Sequence, residues 1–200
     1  MILVTAALKG GVGKTTTSVY LAAVAAAARH DVTLIDADPQ ASAAEWIETA
    51  IENEDDHLSD VALLEAPTDR LLTRALERVT KDEIVIIDPA PGEERMLERA
   101  LSKASVAVIP TRVGGVETAR AEAVLQMVPR RVPAGLVITS ARTYTRDYME
   151  AMDGWREAGV TVWGTIPERV AIAHGPTGAL SEDGIEAYKA VWRRALRAAR

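Results

Sequence analysis

The segment LKGGVGKT at residues 8–15 lies directly after a short apolar run and before a long alanine-rich stretch. Its three glycines allow the backbone to turn tightly and to direct successive N–H groups at one place. Such a turn between a strand and a helix is typical of a phosphate-binding loop. The sequence therefore predicts that this loop holds an anionic ligand at the first turn of a helix. The alternative is a plain glycine-rich turn.

Two lysines strengthen the first interpretation. Only five of the 23 basic residues are lysine, yet Lys9 and Lys14 both lie in this loop. An ammonium is a compact charge that can follow a phosphate where a planar guanidinium does not fit. In loops of this kind the final lysine contacts the β- and γ-phosphates and the next hydroxyl binds Mg²⁺, which predicts these roles for Lys14 and Thr15. The remaining predicted nucleotide-binding residues of the loop are Gly10, Gly11, Val12, Gly13 and Thr16.

The whole chain alternates short β-branched runs with longer helical stretches. This alternation predicts an α/β fold in which a mostly parallel, twisted sheet carries helices on both faces. The predicted strands are 2–6, 32–35, 61–64, 84–87, 106–109, 136–139 and 161–163. The predicted helices are 15–29, 41–51, 69–79, 93–101, 116–127, 146–158 and 182–199.

Length and composition restrict the class of protein. With 200 residues, of which 48% are hydrophobic, we expect a single domain spanning residues 1–200. The absence of cysteine excludes disulfides and cysteine-ligated iron–sulfur clusters. Because there is no N-terminal signal and no apolar run of about 20 residues, we expect a cytoplasmic protein. The net charge is −6, but residues 1–100 carry −10 and residues 101–200 carry +4. This asymmetry indicates either a polyanion-binding face or a solvated surface.

Carboxylates follow two of the predicted strands, where ligands of parallel sheets bind. Asp36 and Asp38 stand two apart, and alternation along an extended chain would direct both to the same side, toward the water and metal shell of a nucleotide. The alternative is that one of them caps the helix that begins near Ala41. Asp88 comes directly after the apolar run 84–87. In a Walker B motif, an aspartate at this position binds Mg²⁺ directly or through water.

Taken together, these segments resemble the ParA/MinD family of P-loop ATPases. The loop carries the deviant Walker A motif Lys-Gly-Gly-x-Gly-Lys-Thr, and residues 36–40 match the signature Asp-x-Asp-Pro-Gln. The resemblance implies that Lys9 reaches the nucleotide of a partner subunit in an ATP-dependent homodimer. It also implies that Asp38 orients the attacking water and that Asp36 supports the magnesium shell. Lys9, Lys14 and Asp38 are thus the predicted catalytic residues.

Two later segments complete the predicted site. Residues 89–92 resemble the family's switch II segment, in which Gly92 would offer its N–H to the γ-phosphate. Residues 166–170 resemble the family's Ile-Pro-Arg-Asn-Val stretch near adenine, with the arginine displaced by one position, so Pro167 and Arg169 are predicted nucleotide contacts. The guanine signature Asn-Lys-x-Asp is missing after the sixth strand, where residues 139–142 read TSAR, and this favours ATP.

The resemblance implies work as a short ParA-type ATPase in DNA partition. Such a protein binds DNA without sequence preference, associates with the nucleoid in its ATP form, and is stimulated by a centromere-binding, ParB-like partner. A MinD-like membrane cycle is an alternative, although the spacing of apolar residues in the last helix is also that of an ordinary packed helix. A metabolic ligase on the same scaffold is another alternative, but it would need a second substrate constellation, and the sequence shows none. The candidate DNA contacts are Arg112, Arg120, Arg130, Arg131, Arg142, Arg146, Arg193, Arg194, Arg197 and Arg200.

Overall fold

The seven apolar runs form one sheet in the computed structural model, which describes residues 1–53, 55–173 and 179–200. The strands are β1 (Ile2–Thr5), β2 (Val32–Ala37), β3 (Val61–Glu65), β4 (Ile84–Pro89), β5 (Val106–Thr111), β6 (Ala134–Ala141) and β7 (Val162–Pro167). Their order is β3-β2-β4-β1-β5-β6-β7, and every pair of neighbours is parallel. The predicted α/β fold class is confirmed.

The helices follow the strands in the predicted alternation. They are α1 (Lys14–Ala27), α2 (Ser42–Glu52), α3 (Asp69–Leu76), α4 (Glu94–Lys103), α5 (Gly115–Met127), α6 (Arg146–Glu157), α7 (Val170–Ala173) and α8 (Glu182–Ala198). The sequence did not predict α7, because four residues are too few to show a helical period. It also placed the end of β7 four residues too early, since Gly164 and Pro167 disfavour a strand on propensity alone.

Two apolar cores cover the two faces of the sheet. One core joins the sheet to α1, α2 and α8, and the other joins it to α3, α4, α5 and α6. Strands buried on both faces explain why β4 and β5 are apolar along nearly their whole length instead of alternating.

Helix α8 is an ordinary packed helix. Its apolar side chains Ile185, Tyr188, Val191 and Trp192 are buried in the core that it shares with α1 and β7. They are therefore not available for insertion into a bilayer, which removes the sequence feature that suggested a MinD-like membrane cycle. Within the described ranges, no helix has the length and apolar character needed to span a membrane.

The sheet topology determines where a ligand can bind. Strands β4, β2 and β3 lie on one side of β1, and strands β5, β6 and β7 lie on the other side. In open parallel sheets, ligands bind at the carboxyl ends of the strands where the strand order reverses. That place is the end of β1, where the glycine-rich loop begins.

Candidate functional site

The backbone of the glycine-rich loop has the conformation that its glycines predict. Gly11 and Gly13 have φ values of 78° and 81°, in the left-handed region that favours glycine. Gly13 is the N-cap residue of α1, and no side chain caps the helix there. The first N–H groups of α1 consequently remain available to a ligand, which together with the helix dipole makes an anion-binding terminus.

Side chains from distant elements hold the carbonyl groups of this loop. The Thr139 hydroxyl in β6 donates to the Val12 carbonyl at 2.8 Å, and the Thr17 hydroxyl donates to the Gly13 carbonyl at 2.7 Å. Because the hydroxyl hydrogen of Thr17 is used in this way, the Tyr188 hydroxyl, 2.9 Å away, donates to Thr17. Burial raises the pKa of Tyr188 far above its usual value, so the phenol remains a neutral donor. These contacts leave the loop's N–H groups to face the ligand.

Asp88 gathers the polar side chains of the first turn of α1. Its Oδ1 accepts from Lys14 Nζ at 2.8 Å and from Ser18 Oγ at 3.0 Å, and its Oδ2 accepts from Thr15 Oγ1 at 2.8 Å. Lys14 is 6% exposed and Asp88 is fully buried. The sequence predicted Lys14, Thr15 and Asp88 as site residues, and the structure brings all three together. Ser18 was missed, although its position one helical turn after Lys14 was visible in the sequence.

Thr15 and Asp88 fit a magnesium ion of the kind that binds with a nucleotide. They offer one hydroxyl and one carboxylate, the hard oxygen ligands that Mg²⁺ prefers. No group of three or more His, Cys, Asp or Glu side chains in the described part of the chain could hold a metal by itself. This donor set suits an ion that completes its shell with phosphate oxygens and water.

Asp36 accepts three backbone hydrogen bonds at the end of β2. Its Oδ2 accepts from the N–H groups of Ala43 and Ala44 at 2.9 Å each, and its Oδ1 accepts from the N–H of Asp38 at 3.0 Å. Burial raises the pKa of Asp36, although the three hydrogen bonds act in the opposite direction. Asp36 is 1% exposed and stands opposite Asp88 in the paired strands β2 and β4, whereas Asp38 follows the end of β2. The contacts of Asp36 are those of the alternative in which it caps α2, and its support of the magnesium shell stays a prediction.

Asp38 lies at the wall of a large cavity above the glycine-rich loop. The cavity has a volume of 810 Å³, within the range of small-molecule sites. The Asp38 Oδ1 accepts from the N–H of Gln40 at 2.9 Å, which fixes the turn after β2. The predicted residues that line this cavity are Gly10, Gly11, Gly13, Lys14, Thr15, Thr16, Asp38, Pro167 and Arg169.

Several lining residues were missed by the sequence analysis. They come from elements that lie far apart in the chain, and a short sequence motif therefore does not identify them as one group. Arg112 follows β5 and was predicted as a DNA contact, but the structure places it at the cavity. The other missed residues include Gln40, Ser42, Trp46, Thr139, Ser140, Ile172 and Tyr188.

Lys9, Val12 and Gly92 do not line this cavity. Lys9 Nζ lies 3.0 Å from Glu117 Oε1 in α5, and this hydrogen bond is the main cause that lowers the pKa of Glu117. Val12 is buried and contributes its carbonyl to the Thr139 contact. Gly92 is exposed with a φ of 78°, while its neighbour Pro91 reaches the cavity. Of the two loop lysines, then, only Lys14 lines the cavity of its own chain.

The remaining candidate DNA contacts differ in what they already bind. Arg142 and Arg146 are in ion pairs, and Arg131 and Arg194 donate to backbone carbonyls. Arg193 and Arg197 are exposed one helical turn apart on α8, and Arg200 follows three residues later. The spacing puts Arg193 and Arg197 on one face of the helix.

Comparisons with known proteins identify the family to which this geometry belongs. The family model of the CobQ/CobB/MinD/ParA nucleotide-binding domain matches residues 3–179. A carboxysome distribution protein A of Gloeobacter kilaueensis is 34% identical over 194 residues, covering 94% of this chain and 77% of that protein. The chromosome-partitioning ATPase Soj of Thermus thermophilus is 27% identical, covering 84% and 82% of the two chains.

A solved structure shares the fold. A plasmid partition protein from Borrelia burgdorferi B31 bound to AMPPNP superposes with a TM-score of 0.77 at 21% identity, covering 98% of each chain. The parallel sheet, the glycine-rich loop and the family match agree with the resemblance seen in the sequence. The chain is a member of the CobQ/CobB/MinD/ParA family of nucleotide-binding domains.

Proposed function

We propose that the protein is a magnesium-dependent ATPase of the ParA type that partitions a DNA cargo. The observation that carries the proposal is the cluster of Lys14, Thr15 and Asp88 at a cavity that Asp38 also lines. Phosphoryl transfer needs positioning and charge neutralisation more than covalent chemistry, and these residues supply both.

Each residue of the cluster has a separate task in this proposal. The loop N–H groups and the Lys14 ammonium bind the β- and γ-phosphates, and Thr15 with Asp88 would hold magnesium. When bound, the ion neutralises charge on the phosphate oxygens. Asp38, which also lines the cavity, orients the attacking water. Because Asp38 already fixes the turn to Gln40 through one oxygen, its other oxygen is the one proposed to contact the water.

The base is proposed to be adenine. Pro167 and Arg169 line the cavity on the side of β7, beside Thr139 and Ser140 at the end of β6. Residues 166–170 resemble the family's stretch near adenine, and the guanine signature Asn-Lys-x-Asp is missing after β6. ATP is therefore the proposed substrate.

The proposed active form is a homodimer in which two chains share their nucleotides. Lys9 supports this proposal because its ammonium points at Glu117 and not at the nucleotide cavity of its own chain. Lys9 is about half exposed, so a partner chain can reach it. Formation of the dimer would require Lys9 to exchange Glu117 for a phosphate of the partner's nucleotide.

Replacing Lys9 with alanine is expected to leave ATP binding by the monomer within about threefold of the wild type, because the lost pair is solvent-exposed. The same change is expected to remove ATP-dependent dimerisation and hydrolysis. Calorimetry gives the affinity, and sedimentation velocity with ATP gives the oligomeric state. Glu117→Gln is the matched control, since it frees Lys9 and should preserve the dimer. Equal losses of ATP binding in the Lys9→Ala and Lys14→Ala variants would refute the role across the dimer.

The DNA-binding part of the proposal rests on the basic second half of the chain. Arg193 and Arg197 form an exposed pair on α8, and Arg200 follows them at the end of the chain. Contacts between arginines and phosphates give binding that is independent of sequence and falls steeply with salt. The net charge of the whole chain is negative, so DNA binding would depend on this local basic surface and not on the net charge.

The Arg193→Ala/Arg197→Ala variant is expected to lose ATP-dependent co-sedimentation with plasmid DNA. The slope of log affinity against log salt should fall by about 0.9 for each phosphate contact removed. Arg74→Ala/Arg78→Ala, which removes the same charge from the acidic half, is the control and should bind as the wild type does. Parallel assays use anionic liposomes, with ATP and with ADP. Binding to liposomes but not to DNA would replace DNA partition with the membrane cycle.

The nature of the cargo has a second candidate. The 34% identity with a carboxysome distribution protein supports a protein assembly as the second candidate. The ATPase site would be the same, and the difference would lie in the partner: a ParB-like protein on a centromere, or an adaptor on the assembly. Unequal inheritance of a plasmid or chromosome after deletion of the gene would indicate DNA as cargo. Clustering of a protein body with normal DNA inheritance would indicate the second candidate.

A further inference from the structure

Arg112 brings to the nucleotide cavity a positive charge that lies outside the glycine-rich loop. The residue directly follows β5, is exposed, and lines the 810 Å³ cavity together with Lys14 and Thr15. In the part of the chain that the structure describes, Arg112 belongs to no ion pair. Its guanidinium can therefore bind an anionic group in the cavity without first leaving a carboxylate of these residues.

A contact made by Thr139 places the backbone of Arg112 beside the glycine-rich loop. The Thr139 Oγ1 lies 2.8 Å from the carbonyl oxygen of Val12 and 3.1 Å from the carbonyl oxygen of Thr111. One hydroxyl thus spans both carbonyl groups, and Arg112 is the residue after Thr111. An arginine side chain that starts here is long enough to reach phosphates bound by the N–H groups of the loop.

Two neighbouring glutamates indicate the side of β5 on which the Arg112 guanidinium lies. Hydrogen bonding to Arg142 is the main cause that lowers the pKa of Glu168, and the charge of Arg112 lowers this pKa further. The pKa of Glu117 in α5 is lowered chiefly by its hydrogen bond with Lys9, and Arg112 does not contribute. Glu168 lines the cavity and Glu117 does not. The guanidinium therefore lies on the cavity side and not on the α5 side.

The order of the strands indicates which part of a nucleotide is near Arg112. Strand β5 lies between β1, which leads into the glycine-rich loop, and β6, with β7 beyond it. The β- and γ-phosphates are proposed to bind at the loop, and the base beside the ends of β6 and β7. The α-phosphate joins these two parts of the nucleotide, and a guanidinium offers the planar pair of donors that phosphate oxygens accept.

We propose that Arg112 is a phosphate-binding residue of the nucleotide site, whose guanidinium contacts the α-phosphate of the nucleotide bound by its own chain. This proposal rests on the nucleotide binding argued above and deepens it. It gives Arg112 a task in the cavity in place of the DNA contact that the sequence suggested. It also adds a cation from the end of β5 to Lys14, which serves the β- and γ-phosphates.

The test compares Arg112→Ala with the wild type by calorimetry without DNA, using Mg-ATP and Mg-ADP. Both affinities are expected to fall by the same factor, about tenfold, because both ligands carry the α-phosphate and one hydrogen bond to a charged group is lost. Arg112→Lys is expected to bind with intermediate affinity, since an ammonium keeps the charge but not the planar pair of donors. A loss confined to Mg-ATP would place the guanidinium at the γ-phosphate and overturn the proposal.

Arg70→Ala is the matched control, because Arg70 is also an exposed arginine but does not line the cavity. It should leave both affinities unchanged. Since Arg112 is exposed, the melting temperature of Arg112→Ala without nucleotide should match that of the wild type. A second measurement uses ³¹P spectra of bound Mg-ADP, in which Arg112→Ala should shift the α-phosphorus resonance more than the β-phosphorus resonance. A shift at the β-phosphorus alone would contradict the contact.

The outcomes separate this inference from the proposed function. A wild-type protein that binds neither Mg-ATP nor Mg-ADP would overturn the proposed ATPase. A wild type that binds both, with an Arg112→Ala variant that binds both as tightly, would overturn only the role of Arg112. If that variant also lost co-sedimentation with plasmid DNA, Arg112 would return to the DNA-binding surface.

Discussion

Replacing Lys14 with alanine is expected to weaken ATP binding about 100-fold or more, the largest effect of any single change at this site. Two losses combine. The ligand loses its contact with an ammonium in a site from which water is excluded. The fold loses one member of a buried charge pair, and such a truncation costs at least about 2 kcal/mol. In addition, Asp88 keeps only the hydroxyls of Thr15 and Ser18 as donors in a fully buried position. Isothermal titration with Mg-ATP measures the affinity, and thermal unfolding measures the cost to the fold.

Lys14→Arg keeps a positive charge beside Asp88 and guards against simple unfolding of the alanine variant. It should fold more stably than Lys14→Ala but still bind ATP poorly, because a planar guanidinium cannot replace a compact ammonium in the loop. Lys81→Ala, at an exposed position outside the cavity, is the control for loss of a lysine. ATP affinity in Lys14→Ala within a few-fold of the wild type would contradict the phosphate-binding role of the loop.

Replacing Asp38 is expected to reduce ATP turnover about 100-fold or more while ATP binding is retained, since a positioned group that acts on the nucleophile contributes about that much. The ATP-bound dimer should then accumulate, because hydrolysis is the step that would release it. Steady-state phosphate release and sedimentation velocity with ATP measure the two effects.

Asp38→Asn separates the chemistry of this residue from its structural contact. The asparagine carbonyl can still accept from the N–H of Gln40, so the turn after β2 is preserved, but the charged oxygen is lost. We expect Asp38→Asn and Asp38→Ala to lose similar amounts of turnover. If Asp38→Asn hydrolyses ATP at the wild-type rate, Asp38 acts by shaping the turn and not on the water.

The local sequence was sufficient where one short segment builds the feature. The glycines, Lys14 and Thr15 are contiguous, and the conformation of their loop follows from glycine's access to positive φ at Gly11 and Gly13. The seven strands were equally predictable, since buried parallel strands read as short β-branched runs. Their order in the sheet was not predicted, because it depends on how helices pack across the faces.

Asp36 shows why a motif position does not determine a role. Its spacing from Asp38 agreed with a shared ligand as well as with a helix cap, and the sequence left both open. The capping contacts depend on where α2 begins relative to β2, which places the N–H groups of Ala43 and Ala44 at the Asp36 carboxylate. A helix cap of this kind involves two elements, so the sequence of one strand end does not predict it.

By itself, the sequence determined the fold class and the family and predicted a phosphate-binding loop, because each depends on residues that are adjacent or regularly spaced. Tertiary structure alone decided that Lys14 rather than Lys9 faces the cavity, and that Thr139, Tyr188 and Trp46 join the site. Those contacts link β6 with the glycine-rich loop, and α8 and α2 with α1, across as many as 171 positions of the chain. The physical reason is that a parallel sheet brings its strand ends to one edge, so distant residues meet there without leaving a local pattern.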